Sequence, residues 1–223
     1  DSDAVVLKQL AAQRFEEYGN VRGEFLYLDV FKAPFFDQEG ILLGTVGCGR
    51  VVTREKQLER ETRRLARLYR ILSAINQKIV HKPTPLELFQ FVCTTLVSDD
   101  NFVMAWVGVA DGAGGYSPAA AAGIPLELLQ ELHGHEQSQP AVLDGAETLI
   151  LSMITAENAW QLLEPCGYAL YQIKPFGSLG AFAIKQAQDF SVLLMVYAAE
   201  NNFFDRDERN LMDELVGDLE YAL

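Results

Sequence analysis

Apolar residues recur every seven positions through the middle of the chain, at Val51, Leu58, Leu65, Leu72 and Ile79, with Leu68 and Ile75 on a second seam. A period of 3.5 residues per turn predicts one long helix over 54–81 that keeps this seam facing a neighbouring helix; a homodimer is the simplest arrangement that supplies one. The seam consists of Leu58, Leu65, Leu68, Leu72, Ile75 and Ile79. Glu61 interrupts it, and Tyr69 and Ile71 widen the apolar face toward its C-terminal end. A widening face favours more than two helices, so the second half of this helix is expected to join the amphipathic segment 205–223 from both protomers in a four-helix bundle.

The pattern changes on either side. Residues 3–15 predict a short helix and then a strand running into Tyr18. Residues 24–36 and 41–52 are rich in Phe, Tyr, Leu and Val, with turn residues between them, and predict an antiparallel hairpin. Gly44, Gly47 and Gly49 in the second run imply bulges or close packing. Beyond the helix, Pro83 stops the periodicity, and Thr84-Pro85-Leu86-Glu87 is a capping box that opens a helix with Leu88, Phe89, Val92, Cys93 and Leu96 on one face. Strands are predicted at 102–110 and 116–122, a helix at 124–132, a loop at 133–147, a strand at 148–154 and a short helix at 156–165. Further strands are predicted over 167–184, broken at Pro175 and Gly177, and over 190–199. A last helix begins at Asp205, which can cap it. The fold class is α+β: an antiparallel sheet with flanking helices, preceded by a long coiled-coil helix and a β-hairpin. Three segments follow from this pattern, at 1–53, 54–81 and 82–223.

Composition narrows the function. The 223 residues are 49% hydrophobic, enough for a substantial core, and carry a formal charge of −13. That acidity argues against nucleic-acid binding, which requires a basic surface. Seven of the basic residues fall between Arg54 and Arg70, which makes this stretch net +4 against an acidic C-terminal helix. No run approaches the roughly 18 apolar residues of a bilayer span, so membrane insertion is not expected and the location read from the sequence is cytoplasmic. The start at Asp1 suggests a piece of a longer protein. Cys48, Cys93 and Cys166 fit neither a disulfide framework nor a metal clip. The pair His133 and His135 lacks a third ligand at a standard spacing, so no metal site is assigned.

Residues 82–223 resemble a GAF domain of bacterial sensory proteins. The resemblance rests on AWVGVAD at 105–111, AAAAG at 119–123, IKPF at 173–176 and the long stretch LLMVYAAENNFFDRDERNLMDELVGDLEYAL at 193–223. Residues 1–56 are similar to the C-terminal half of a PAS domain, on the strength of KAPFFDQEGILLGTVGCGRVVTREK at 32–56. Such PAS edges usually close with Asp-Ile-Thr; Val51-Val52-Thr53 stands here, which puts a polar contact between sheet and helix in doubt. The resemblance implies five or six antiparallel strands, a homodimer, and an output domain in cis of GGDEF, EAL or histidine-kinase type. It also implies a small-molecule pocket, for which Met153, Trp160, Cys166, Tyr168 and Tyr171 are the candidate lining residues. No cofactor is named. Gly167 follows Cys166 where bilin-binding relatives carry His, which argues against a bilin, and the Asn-Lys-Phe-Asp-Glu signature of cyclic-nucleotide binding is absent. Thiol catalysis would need a base beside a cysteine, and none is visible in the sequence. The expected function is therefore non-enzymatic: sensing and relay to an output domain. A ligand-free dimerisation scaffold is the alternative, and a GAF-type thiol enzyme a third.

Overall fold

The computed structural model describes residues 1–98, 100–112, 115–134, 148–163, 165–186 and 189–223. The chain divides into two compact units, Asp1–Ala66 and Arg67–Leu223. The division falls inside one continuous helix.

The first unit consists of α1 (Ser2–Gln9), the strands β1 (Gln13–Val21), β2 (Glu24–Phe36) and β3 (Leu42–Val51), and the opening turns of α2 (Thr53–Val80). The strands form one antiparallel sheet in the order β1-β2-β3. Arg22 and Gly23, both with positive φ, make the two-residue turn between β1 and β2. The glycine-rich third strand behaves as its composition implies: the register with β2 shifts between Phe35 and Phe36, where Gly44 takes φ of 153°. Helix α1 lies on one face through Val6, which is fully buried, and is tied there by Lys32, whose ammonium reaches Ser2, Asp3 and Glu17. Val51 closes β3 and does not extend the heptad, because the backbone is still strand-paired to Leu28 and the helix begins two residues later. The polar link between sheet and helix is made by Thr53, whose Oγ1 accepts from the Tyr27 amide at 2.9 Å.

The second unit contains the rest of α2, α3 (Pro85–Val97), β4 (Phe102–Ala110), β5 (Tyr116–Ala122), α4 (Leu126–Gly134), β6 (Thr148–Leu151), α5 (Ala159–Leu162), α6 (Pro165–Ile173), β7 (Ser178–Gln186), β8 (Asp189–Ala198) and α7 (Arg206–Ala222). Its five strands form an antiparallel sheet ordered β5-β4-β8-β7-β6. Both sheet faces are covered, so the central strand β8 reads as the unbroken apolar run Val192–Ala198, every residue of it buried. Val192, Leu194 and Val196 point to a core shared with α2, α3 and α7. Leu193, Met195 and Tyr197 point to a second core shared with α4, α5 and α6. The capping box opens α3 as its sequence predicts, with Glu87 accepting from the Thr84 amide at 2.8 Å. Gly123 ends β5 with φ of 80°, and a Cβ there would sit 2.3 Å from the Val103 carbonyl oxygen, so only glycine fits.

Two expectations are corrected. Residues 167–173 are helical and not part of a strand: Pro165 begins α6, and Cys166, Leu170 and Tyr171 recur at the 3.6 spacing of one buried helix face. Helix α4 continues through His133 and Gly134, which the sequence assigns to a loop; the remainder of that loop, including His135, lies outside the described residues.

Candidate functional site

The second core of unit 2, between the sheet and helices α4 to α6, gathers the chemically distinctive side chains. Strand alternation turns Trp106 on β4 and Tyr197 on β8 into this core, each 2% exposed. The Trp106 indole N–H donates to the Tyr197 hydroxyl at 3.1 Å, which satisfies both buried polar groups. Burial pushes the Tyr197 phenol well above its ordinary range. The Tyr197 ring stacks edge-on with Phe176, and Phe176 with Tyr171, at 4.8 and 5.4 Å between centroids.

His133 ends α4 with its ring edge-on to Trp106, 4.9 Å between centroids. Its Nδ1 lies 2.8 Å from the Leu129 carbonyl oxygen, so Nδ1 carries the proton and the Nε2 lone pair is left available. Burial pushes the imidazole pKa below its ordinary value of 6.5. Cys166, the second residue of α6, places Sγ 3.5 Å from His133 Nδ1 and 3.8 Å from Nε2. The sequence shows no imidazole beside any cysteine; the fold brings one within 3.5 Å across 33 positions. That contact becomes legible only once α4 is extended by two residues, because His133 then follows Leu129 by four residues on the helix face turned inward.

Of the five residues expected to line a pocket, Cys166 and Tyr171 are buried in this core. Met153, Trp160 and Tyr168 stand at the surface instead, with Trp160 61% exposed and its N–H on the Glu157 carbonyl. Trp106 and Tyr197 are residues that sequence reasoning missed, and His133, weighed there only as a metal ligand, joins them in this core. Cys93 sits on the opposite side of the sheet, fully buried, its S–H on the Ala120 carbonyl at 3.8 Å and its pKa pushed up to about 12 by desolvation. Among the described residues no three metal-ligating side chains converge.

The helix seam divides in the structure. Leu68, Leu72 and Ile75 belong to the intrachain core with Leu211, Met212, Leu215 and Leu219 of α7, and Ile79 packs at its margin. Leu58 and Leu65 remain 53% and 40% exposed, and Tyr69 is exposed as well. The basic side of α2 meets acidic α7 at Arg67, whose guanidinium pairs with Glu208, 2% exposed, and lies over the Phe203 ring. Within unit 1, a groove of about 410 Å³ is walled by Tyr18, Tyr27 and Val52 and by three cations of α2. Lys56 is paired to Glu16, Arg63 to Glu59, and Arg60 lies over the Tyr27 ring.

No family model and no curated protein matches the chain. Solved structures do. The GAF domain of a phosphoenolpyruvate-protein phosphotransferase from Coxiella burnetii superimposes with a TM-score of 0.51 at 14% identity, over 70% of this chain and 92% of that one. The chain has the GAF fold. A phycocyanobilin-bound GAF domain of a cyanobacterial phytochrome gives a TM-score of 0.50 at 12% identity, over 70% and 92% of the two chains. The reduced form of fRMsr from Staphylococcus aureus gives 0.50 at 9% identity, over 70% and 94%. At these identities the GAF likeness describes the fold alone, with the long helix α2 preceding its sheet.

Proposed function

We propose that this chain is a sensory and relay region that dimerises through α2 and passes a change in helix packing to an output domain in cis, of cyclic-dinucleotide or kinase type. The observation that carries this reading is the division of one apolar seam along the helix. Leu68, Ile71, Leu72 and Ile75 serve the GAF core, whereas Leu58 and Leu65, two heptads and one heptad before Leu72 on the same face, stand exposed, with Tyr69 exposed beside that face. A monomer has no use for those exposed leucines, and a second copy of α2 would bury them at heptad spacing. The aromatic core around Tyr171 and Cys166 is where a small ligand would bias one packing over the other, since a ligand shifts an equilibrium only through unequal affinity. The protein acts in this reading in the cytoplasm and without catalysis of its own.

The test is sedimentation velocity at micromolar concentration. Leu72 is unsuitable for substitution because it is core. Leu58→Glu with Leu65→Glu, both at exposed positions, is expected to convert a dimer into a monomer of unchanged circular dichroism. A wild-type monomer overturns the dimeric relay. A second reading, a ligand-free scaffold, is favoured by the Trp106–Tyr197 hydrogen bond, which fills the same core without a ligand. A dimer that gains no thermal stability from any nucleotide or metabolite tried at high excess would favour that scaffold.

A further inference from the structure

We propose that the groove of unit 1 is a binding site for a small planar aromatic monocarboxylate, with Arg60 as its anchor. Tyr18 and Tyr27 are cross-strand partners on β1 and β2, so their rings share one sheet face, 6.0 Å apart between centroids. Lys56, Arg60 and Arg63 follow one another at spacings of four and three along α2, which puts all three on the side of the helix that walls the groove. Leu28 and the buried Val52 add apolar wall. The volume of about 410 Å³ is that of a small-molecule site.

Charge selects the ligand. Lys56 is held by Glu16 at 2.7 Å and Arg63 by Glu59, while the remaining carboxylate of the groove, Glu17, is taken by Ser2 and Lys32. Arg60 is the cation left over. Among the described residues it has no carboxylate partner; its guanidinium lies over the Tyr27 ring, 4.7 Å from the centroid. A cation–π contact fixes the group in place without using any of its N–H donors, so a guanidinium held this way keeps its fork open for two carboxylate oxygens. One unbalanced positive charge matches one negative charge. The tyrosine rings match a flat apolar body, and Tyr18, 73% exposed, is a ring that the fold leaves open beside the groove. A dianion such as a phosphate monoester would have to displace Glu16 or Glu59 from its cation to be neutralised. The site stands apart from the aromatic core of the GAF unit and from the relay reading: it is read as affinity, and relay as assembly.

Isothermal titration calorimetry on the full chain uses cinnamate as the probe, with cinnamyl alcohol as its uncharged analogue and acetate as its ringless one. Cinnamate is expected to bind at least about tenfold more tightly than either analogue, and more weakly as salt is raised. Arg60→Gln is expected to lose about tenfold or more in affinity, and Arg60→Lys to lose part of that, since an ammonium keeps the charge and not the fork. Tyr18→Ala, on the sheet, weakens the same site without touching the helix. Arg54→Gln, at an exposed position of α2 outside the groove, is expected to bind as the native chain does. All three positions are exposed, and unchanged circular dichroism shows the variants folded. The proposal is overturned by absence of binding at millimolar cinnamate or by equal affinity for cinnamyl alcohol. Binding that survives both Arg60→Gln and Tyr18→Ala overturns it as well, and puts the probe outside this groove.

Discussion

His133 is held neutral by the company it keeps. Its ring faces Trp106, its Nδ1 donates to the Leu129 carbonyl, and burial lowers its pKa below 6.5. In the unfolded chain the same imidazole takes up a proton near pH 6.5. The unfolded state therefore binds more protons below that value, so the contribution of His133 is intact above pH 6.5 and is lost as pH falls toward the lowered folded value, by at most about 1.4 kcal/mol per pH unit. Urea midpoints between pH 7.5 and 5.5 should fall in the wild type and fall less in His133→Gln. Asp3, Glu17, Asp29 and Glu87, whose pKa the fold lowers, start from 3.8 or 4.5 and act at more acid pH. An unchanged slope in His133→Gln would mean that the imidazole titrates alike in both states. A histidine with this behaviour was out of reach of the sequence, where His133 reads as the edge of a loop and its partner lies 33 residues away.

At the level of elements, local signals succeeded where one side chain determines the backbone. Thr84 and Glu87 place the start of α3, Asp205 caps α7 through the amides of Asp207 and Glu208, and the apolar runs at 102–110 and 190–199 mark the strands β4 and β8. They failed at α6, because Tyr168 and Tyr171 have strand propensity and the helical period shows only in which residues are buried. The heptad on α2 gave the helix but left its partner open: part of the seam is taken by α7 of the same chain. Arg67 and Glu208 fix that pairing from within. Arg67→Leu alone strands a carboxylate that is 2% exposed and should cost about 3 kcal/mol in urea unfolding, whereas Arg67→Leu with Glu208→Leu should recover most of the loss. Equal destabilisation of the single and double variants would show that packing around Phe203, and not the charge pair, holds the helices.

Over the whole molecule, sequence separates a β-rich beginning, a helix and a longer α+β remainder, and the structure forms two compact units whose division lies within that helix. The GAF fold was legible from the 193–223 stretch, while the Cys166–His133 contact was not, because it depends on how two helices lie on one sheet face. That sheet also partitions the energetics of its unit. Phe182 and Phe204 share the core on the α7 side, and Tyr171 and Phe176 share the core on the α6 side. Leucine substitutions within either pair should be coupled by about 0.5 kcal/mol or more, and those of Phe182 with Tyr171 should add within about 0.5 kcal/mol. Such independence lets the two faces drift separately. Substitutions that reshape the wall around Cys166 can accumulate without eroding the side that carries α2 and α7, so one face of the sheet can be rebuilt while the other keeps its packing.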